Sequence, residues 1–184
     1  MQNTSITKEA LADALATLLL TQPLSKISIK NITDACNVSR NTFYYHFKDK
    51  YELIHWIFLS DMTKYVPNFT DTDNMLNTFV DVCKILYTHR KFYFVCFQYT
   101  GQNSLYEYIR SFYYNLWVEK LKQLDQKHNL GIRKEELLLT AKMKTYILVG
   151  MLQEWVQSGM RNDYMIYFEQ MQNILERESI ACYT

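Results

Sequence analysis

Between Ser28 and Glu52 three helix-start signals crowd into one stretch, which restricts the chain there to short helices joined by tight turns. Ser28 can cap a helix carrying Ile29, Ile32 and Ala35. The turn Cys36-Asn37-Val38-Ser39 follows, and a further short helix starts at Ser39. Asp49-Lys50-Tyr51-Glu52 is the Asp form of a capping box, and it opens a longer helix through Leu53, Ile57 and Phe58 to about Tyr65. Pro67 and Asn68 end that helix.

A helix-turn-helix needs two short helices crossing steeply, a small residue where they touch, and apolar residues at fixed spacing to lock them. Ile32 and Ala35 supply the buried face of the first helix, with Ala35 as the small contact. Asn37 stands in the turn, where a left-handed backbone is wanted and Asn is the best non-glycine residue for it. Val38 plugs the turn, and Phe43 and Phe47, four apart, bury the inner side of the second helix. Arg40, Asn41, Thr42, Tyr44, Tyr45 and His46 are left on or near the outside. Arg and Asn read base edges with paired hydrogen bonds, while Thr, Tyr and His suit phosphate oxygens. The chain's net charge of +1 does not advertise a nucleic-acid partner. From Lys26 to Lys50, however, five basic residues (Lys26, Lys30, Arg40, Lys48, Lys50) stand against Asp34 and Asp49. Neutrality overall hides a basic patch.

The remainder reads as helix. Leu11, Leu15, Leu18 and Leu19 form one face of a first helix, with Thr7 or Ser5 as its cap and an end near Thr21-Gln22-Pro23. Further helices are predicted at about 72–88, 90–98, from Ser104 to the loop His128-Asn129-Leu130-Gly131, at 134–158 and at 163–178. With Gly 4 and Pro 2 in 184 residues and no strand alternation, the fold class is all-α. A DNA-binding unit is predicted over residues 1–50 and a larger helical unit over 51–184. No run approaches a membrane span and the start has no apolar leader, so a cytoplasmic location is expected. Cys36, Cys83, Cys96 and Cys182 are too scattered for a disulfide frame or zinc site. No phosphate loop, G-x-S-x-G or H-E-x-x-H occurs, and His55, His89 and His128 lack metal-ligand spacing. The expectation is a binding protein, not an enzyme, with no cofactor.

Aromatic residues are dense after Tyr87. A dry core rarely accepts so many Tyr, because each buried hydroxyl needs a partner. A cavity lined by some of Phe94, Phe97, Tyr108, Phe112, Tyr146 and Trp155 is therefore expected, with Gln153 orienting a polar group of a mostly neutral small molecule. The helix at 134–158 is apolar nearly all round and must be buried on more than one side. Leu148, Met151, Leu152 and Trp155 are assigned to a second, intersubunit face.

The run Val38-Ser39-Arg40-Asn41-Thr42-Phe43-Tyr44-Tyr45-His46-Phe47-Lys48-Asp49-Lys50, followed by Glu52-Leu53, resembles the signature of the tetracycline-repressor (TetR) family. The resemblance covers roughly residues 8–55. It implies a three-helix DNA-binding domain, a divergent helical ligand-binding domain, and a homodimer whose last two helices pack as a four-helix bundle on a palindromic operator. By position it implies that Lys30, Arg40, Asn41 and Tyr45 face bases, and that Ser28, Thr42, Tyr44, His46 and Lys50 face phosphates. Two departures stand out. Asn37 replaces a common Gly, and Asn41 replaces a frequent small residue or Pro, which alters the bases read. Ser5-Ile6-Thr7-Lys8 together with Phe43-Tyr44-Tyr45-His46-Phe47 more faintly resembles regulators of dihydroxyacetone kinase operons. Some of those act as activators with a protein co-regulator, and that implies an alternative to small-molecule control.

Overall fold

Side-chain caps fix where most of the helices begin. A computed structural model describes residues 2–66, 68–72 and 75–161, and beyond them residues 166, 168–171, 173, 174 and 177. The described elements are α1 (Gln2–Leu19), a 3-10 turn (Leu24–Lys26), α2 (Ile29–Ala35), α3 (Arg40–His46), α4 (Lys50–Tyr65), α5 (Met75–Thr88), α6 (Arg90–Phe97), α7 (Leu105–His128) and α8 (Lys134–Gln157). Among the described residues there is no strand. Of the helix expected at 163–178, the described residues are helical, and the rest of that segment and Cys182 lie outside the described residues.

Ser28 caps α2 by accepting from Asn31 N, and the Asn31 side chain returns the bond to Ser28 N. Ser39 accepts from Thr42 N at the start of α3, and Ser104 accepts from Glu107 N at the start of α7. Asp49 accepts from Tyr51 N and Glu52 N, while Glu52 reaches back to Lys48 N, one residue before the cap. Neither Ser5 nor Thr7 caps α1, which begins at Gln2, and the Ser5 hydroxyl donates to Glu9 at 3.1 Å inside the helix. Asn37 (φ 55°) and Asn129 (φ 54°) hold the left-handed positions after α2 and α7.

One continuous core runs the length of the molecule. Leu11 and Leu15 of α1, Ile32 of α2 and Phe43 of α3 are fully buried and close the N-terminal unit. Each such side chain stabilises by about 1.5–3 kcal/mol. α4 belongs to both halves: Leu53 is fully buried near its start, and Phe58 and Met62 are fully buried farther along. Asp61 of α4 accepts from the buried Tyr93 hydroxyl of α6. Tyr113 and Trp117 of α7 and Leu148 and Leu152 of α8 fill the C-terminal end. The largest correction within the first fifty residues is Ala35, which is exposed. Thr33 takes the buried place instead, its hydroxyl donating to Ile29 O and Lys30 O at 3.1 Å. A threonine can be buried there because those bonds satisfy its hydroxyl.

Candidate nucleic-acid interface

α2 and α3 meet across the Asn37 turn, with Val38 half-buried against the core beneath it. Phe43 and Phe47 turn inward, their rings 5.9 Å apart, and Phe47 packs edge-on to Trp56 of α4. With that side fixed, α3 presents the other to solvent. Arg40 and Asn41 are exposed, Tyr44 is half exposed, and Tyr45 is 81% exposed. A tyrosine so far outside contributes little to the core. Lys30 on α2 is exposed as well. Lys26, Lys30, Arg40 and Lys48 form no ion pair among the described residues, so the face keeps its positive charge for a partner.

Ser28 and Thr42 are engaged locally. The Ser28 hydroxyl serves Asn31, and Thr42 Oγ1 lies 2.8 Å from Ser39 Oγ. His46, half-buried, packs edge-on to Tyr45 with ring centroids 4.9 Å apart. Lys50 is where the structure departs from the reading of its position. Its ammonium donates to Leu24 O and Ile27 O, both at 2.7 Å, and burial lowers its pKa. It ties the start of α4 to the turn ahead of α2, which directs it away from the solvent side.

The junction between α4 and the C-terminal helices is built from aromatic stacks that periodicity alone does not reveal. Tyr51 stacks on Tyr99 at 4.5 Å, and His55 stacks on Tyr108 at 4.2 Å. His55 Nε2 lies 3.0 Å from Asn103 O, so that nitrogen carries the proton and donates. Burial lowers the His55 pKa, against the opposing pull of the Asn103 and Ser104 carbonyls, Asp49 and Glu52. The folded protein thus prefers a neutral ring. Stability should decline as pH falls from the free-imidazole value of about 6.5 through the depressed folded value, because the unfolded chain takes up the proton first. His55→Gln should flatten that decline when urea midpoints are compared at neutral and mildly acidic pH.

The aromatics expected to line a cavity are dispersed. Phe97 and Trp155 are buried in the core, Phe94 is half-buried, Phe112 stacks on Phe69 at 4.6 Å, and Tyr108 is taken by His55. Gln153 is half-buried, and Tyr146 is 48% exposed on the outer side of α8. An open cleft of about 360 Å³ between α7 and α8 contains Tyr146 alone of that set. The assigned intersubunit residues are displaced in a similar way. Leu148 and Leu152 are fully buried within the protomer, Trp155 is 6% exposed and donates to Arg161 O, and Met151 is half-buried. The apolar residues that α8 leaves outside are Leu139, Met143, Tyr146 and Ile147, at i, i+4, i+7 and i+8.

Two short capped helices joined at a left-handed residue, with an exposed cationic second helix, make this the helix-turn-helix class of DNA-binding fold. Residues 7–57 match the bacterial regulatory proteins of the tetR family, and residues 73–177 match the transcriptional regulator C-terminal region. The chain belongs to the TetR family of bacterial regulatory proteins. A curated relative is the HTH-type dhaKLM operon transcriptional activator DhaS of Lactococcus lactis subsp. lactis (strain IL1403). It is 27% identical over 93 residues, 50% of this chain and 50% of its own, so the chain spans about half the length of that relative. Among solved structures, the dihydroxyacetone kinase operon activator DhaS aligns with a TM-score of 0.67 at 20% identity, covering 94% of this chain and 96% of that one. NalD of Pseudomonas aeruginosa, the secondary repressor of the MexAB-OprM multidrug efflux pump, aligns at 0.64 and 17%, covering 95% and 96%. At these identities the structural likeness shows the fold. No helix among the described residues is long and apolar enough to cross a membrane.

Proposed function

We propose that this chain acts as a homodimeric transcriptional regulator that grips a palindromic operator and is released or engaged by a small molecule in its C-terminal unit. On this reading residues 1–50 contact DNA, residues 51–184 sense and dimerise, and the protein works in the cytoplasm as a binding protein. The observation that carries it is the outer side of α3 and its surroundings: exposed Arg40, Asn41 and Tyr45 with unpaired Lys30 beside them. Arg40, Asn41, Tyr45 and Lys30 are assigned to base edges, and Tyr44, His46, Thr42 and Ser28 to phosphates. Lys50 is reassigned from phosphate contact to bracing the turn at Leu24–Ile27.

The roles separate in a binding series. Arg40→Ala should relax the preference at one base pair by about 1–3 kcal/mol. Tyr44→Ala and His46→Ala should weaken binding to operator and random duplex alike. Lys30→Ala should likewise relax the preference at the base pair it faces, whereas loss of a phosphate contact would weaken all sequences alike. Fluorescence anisotropy with both duplexes over a salt range measures all four. Unchanged binding in four well-folded variants would overturn the assignment.

Control requires one ligand-bound arrangement of the two reading heads to be preferred. Moving the equilibrium from 1:99 to 99:1 takes about 5.5 kcal/mol of differential affinity. α4 is the element suited to transmit it, because its N-terminal turn braces the DNA-binding unit while its Tyr51–Tyr99 and His55–Tyr108 stacks hold the C-terminal one. A second reading makes the chain a transcriptional activator, as the relative DhaS is described. Here a protein co-regulator would replace the small molecule, and DNA affinity would respond to a protein partner alone.

A further inference from the structure

We propose that the open cleft between α7 and α8 is a binding site for a small anion, a carboxylate or phosphate monoester carried on a flat apolar body. The cleft, about 360 Å³, is lined by Arg110, Ser111, Tyr114 and Asn115 from α7 and by Lys142, Thr145 and Tyr146 from α8. Its lining contains two cations and no carboxylate. Neither cation is neutralised elsewhere: among the described residues no carboxylate lies within ion-pair distance of Arg110 or Lys142. Each rests over a ring of its own helix, Arg110 at 5.8 Å from Tyr106 and Lys142 at 5.9 Å from Tyr146. Lys84, Lys120 and Lys50 are occupied, by Asp81, by Thr72 O and by two carbonyls, whereas the other lysines without an ion pair named above, Lys26, Lys30 and Lys48, belong to the N-terminal unit. In a chain of net charge +1, two unspent cations facing one cleft from two helices are a local arrangement and not a reflection of overall charge.

The remaining lining residues complete a recognisable chemistry. Ser111 and Asn115 are exposed donors one helical turn apart, suited to anion oxygens. Thr145 is not one of these donors, because its hydroxyl already donates to Ala141 O at 2.7 Å. Tyr114 and Tyr146 line the cleft from opposite helices and favour a flat apolar body beside the charge. A guanidinium and an ammonium together hold a carboxylate or phosphate through charge-assisted bonds roughly twice as strong as neutral ones. This narrows the effector of the proposed regulator from the mostly neutral ligand that the sequence suggests to an anionic one, and in that sense it rests on the small-molecule reading. Tyr146 also belongs to the exposed apolar row of α8, so an occupant would sit at the edge of that row.

The experiment is isothermal titration of the full-length protein with phenyl phosphate, benzoate, inorganic phosphate and benzyl alcohol, repeated on Arg110→Gln, Lys142→Gln and the double variant. Both cations are on the surface side of their helices, and circular dichroism checks that the variants remain folded. The expected result is saturable binding of phenyl phosphate or benzoate, weaker binding of inorganic phosphate, and none of benzyl alcohol. Each single substitution should weaken the aromatic anion about tenfold. The site is refuted if neither aromatic anion binds up to millimolar concentration, if benzyl alcohol binds as well as they do, or if the double variant binds them unchanged. Operator binding, measured separately with and without the anion, reports on the regulatory reading. Anion binding without any change in operator affinity keeps the site and sinks its role as the effector site.

Discussion

Ile147→Asp is expected to yield a folded monomer at micromolar concentration, whereas Leu152→Asp, five residues along the same helix, is expected to abolish folding. The two differ in which side of α8 they occupy. Ile147 is 43% exposed in the protomer, and Leu152 is fully buried against it. An unpaired carboxylate at Leu152 would cost several kcal/mol, comparable to the whole stability of a domain at about 5–15 kcal/mol. At Ile147 the carboxylate stays hydrated in the monomer and is buried only if a second copy covers the row Leu139, Met143, Tyr146 and Ile147. Gly150 continues that row one turn on. A mid-helix glycine costs about 1 kcal/mol relative to alanine, and a Cβ there would meet nothing within 4 Å in the protomer. Nothing among the described residues calls for a glycine there, but close approach of a second helix would. Sedimentation equilibrium and circular dichroism separate the outcomes. A dimer that survives both Ile147→Asp and Met143→Asp would show that this row is not the seam. With the seam lost, operator affinity should collapse as well, because two linked heads gain roughly 10²–10⁴ in avidity over either alone.

The contrast explains what the sequence could and could not convey. Around α2–α4, signals are short-range: Ser28, Ser39 and Asp49 act on backbone groups within three residues, so caps, turn and recognition helix could be read directly. Ala35 and Thr33 were exchanged because the rotation of α2 on α1 depends on the partner helix and not on local pattern. α8 posed the same problem on a larger scale. It is apolar nearly all round, and periodicity cannot say which side the protomer itself uses. Leu148 and Leu152 went inward, leaving the row through Met143 and Ile147 outside. Lys50 matched its motif position, but only the path of the turn at Leu24–Ile27 brings two carbonyls to its ammonium. The α7–α8 cleft was invisible for a related reason, since Arg110 and Lys142 are far apart in sequence and become neighbours only through helix pairing.

Aromatic density in the C-terminal unit suggests a cavity lining because buried tyrosines need partners, and α7 shows what happens when they lack them. Tyr113 and Trp117, one turn apart, are each 1% exposed, and among the described residues neither the Tyr113 hydroxyl nor Trp117 Nε1 has a hydrogen-bond partner. Tyr113 sits among aromatic rings: Phe79 and Phe112 pack edge-on to it, each with ring centroids 5.5 Å away. Burial, with Cys83 adding to it, pushes the Tyr113 pKa well above the usual phenol value. Two substitutions on adjacent turns should therefore have opposite signs. Trp117→Ala should cost about 3–5 kcal/mol, because it deletes a large buried ring and leaves a cavity. Tyr113→Phe keeps the ring, removes only the unpaired hydroxyl, and should raise stability by about 1–3 kcal/mol. For a chain of this length that gain corresponds to roughly 2–4 °C in Tm per kcal/mol. Urea and thermal denaturation of both variants measure the pair. A Tyr113→Phe protein less stable than the wild type by a kcal/mol or more would mean that the hydroxyl is hydrogen-bonded in solution, and the interior beside α7 would then have to hold water or another polar occupant.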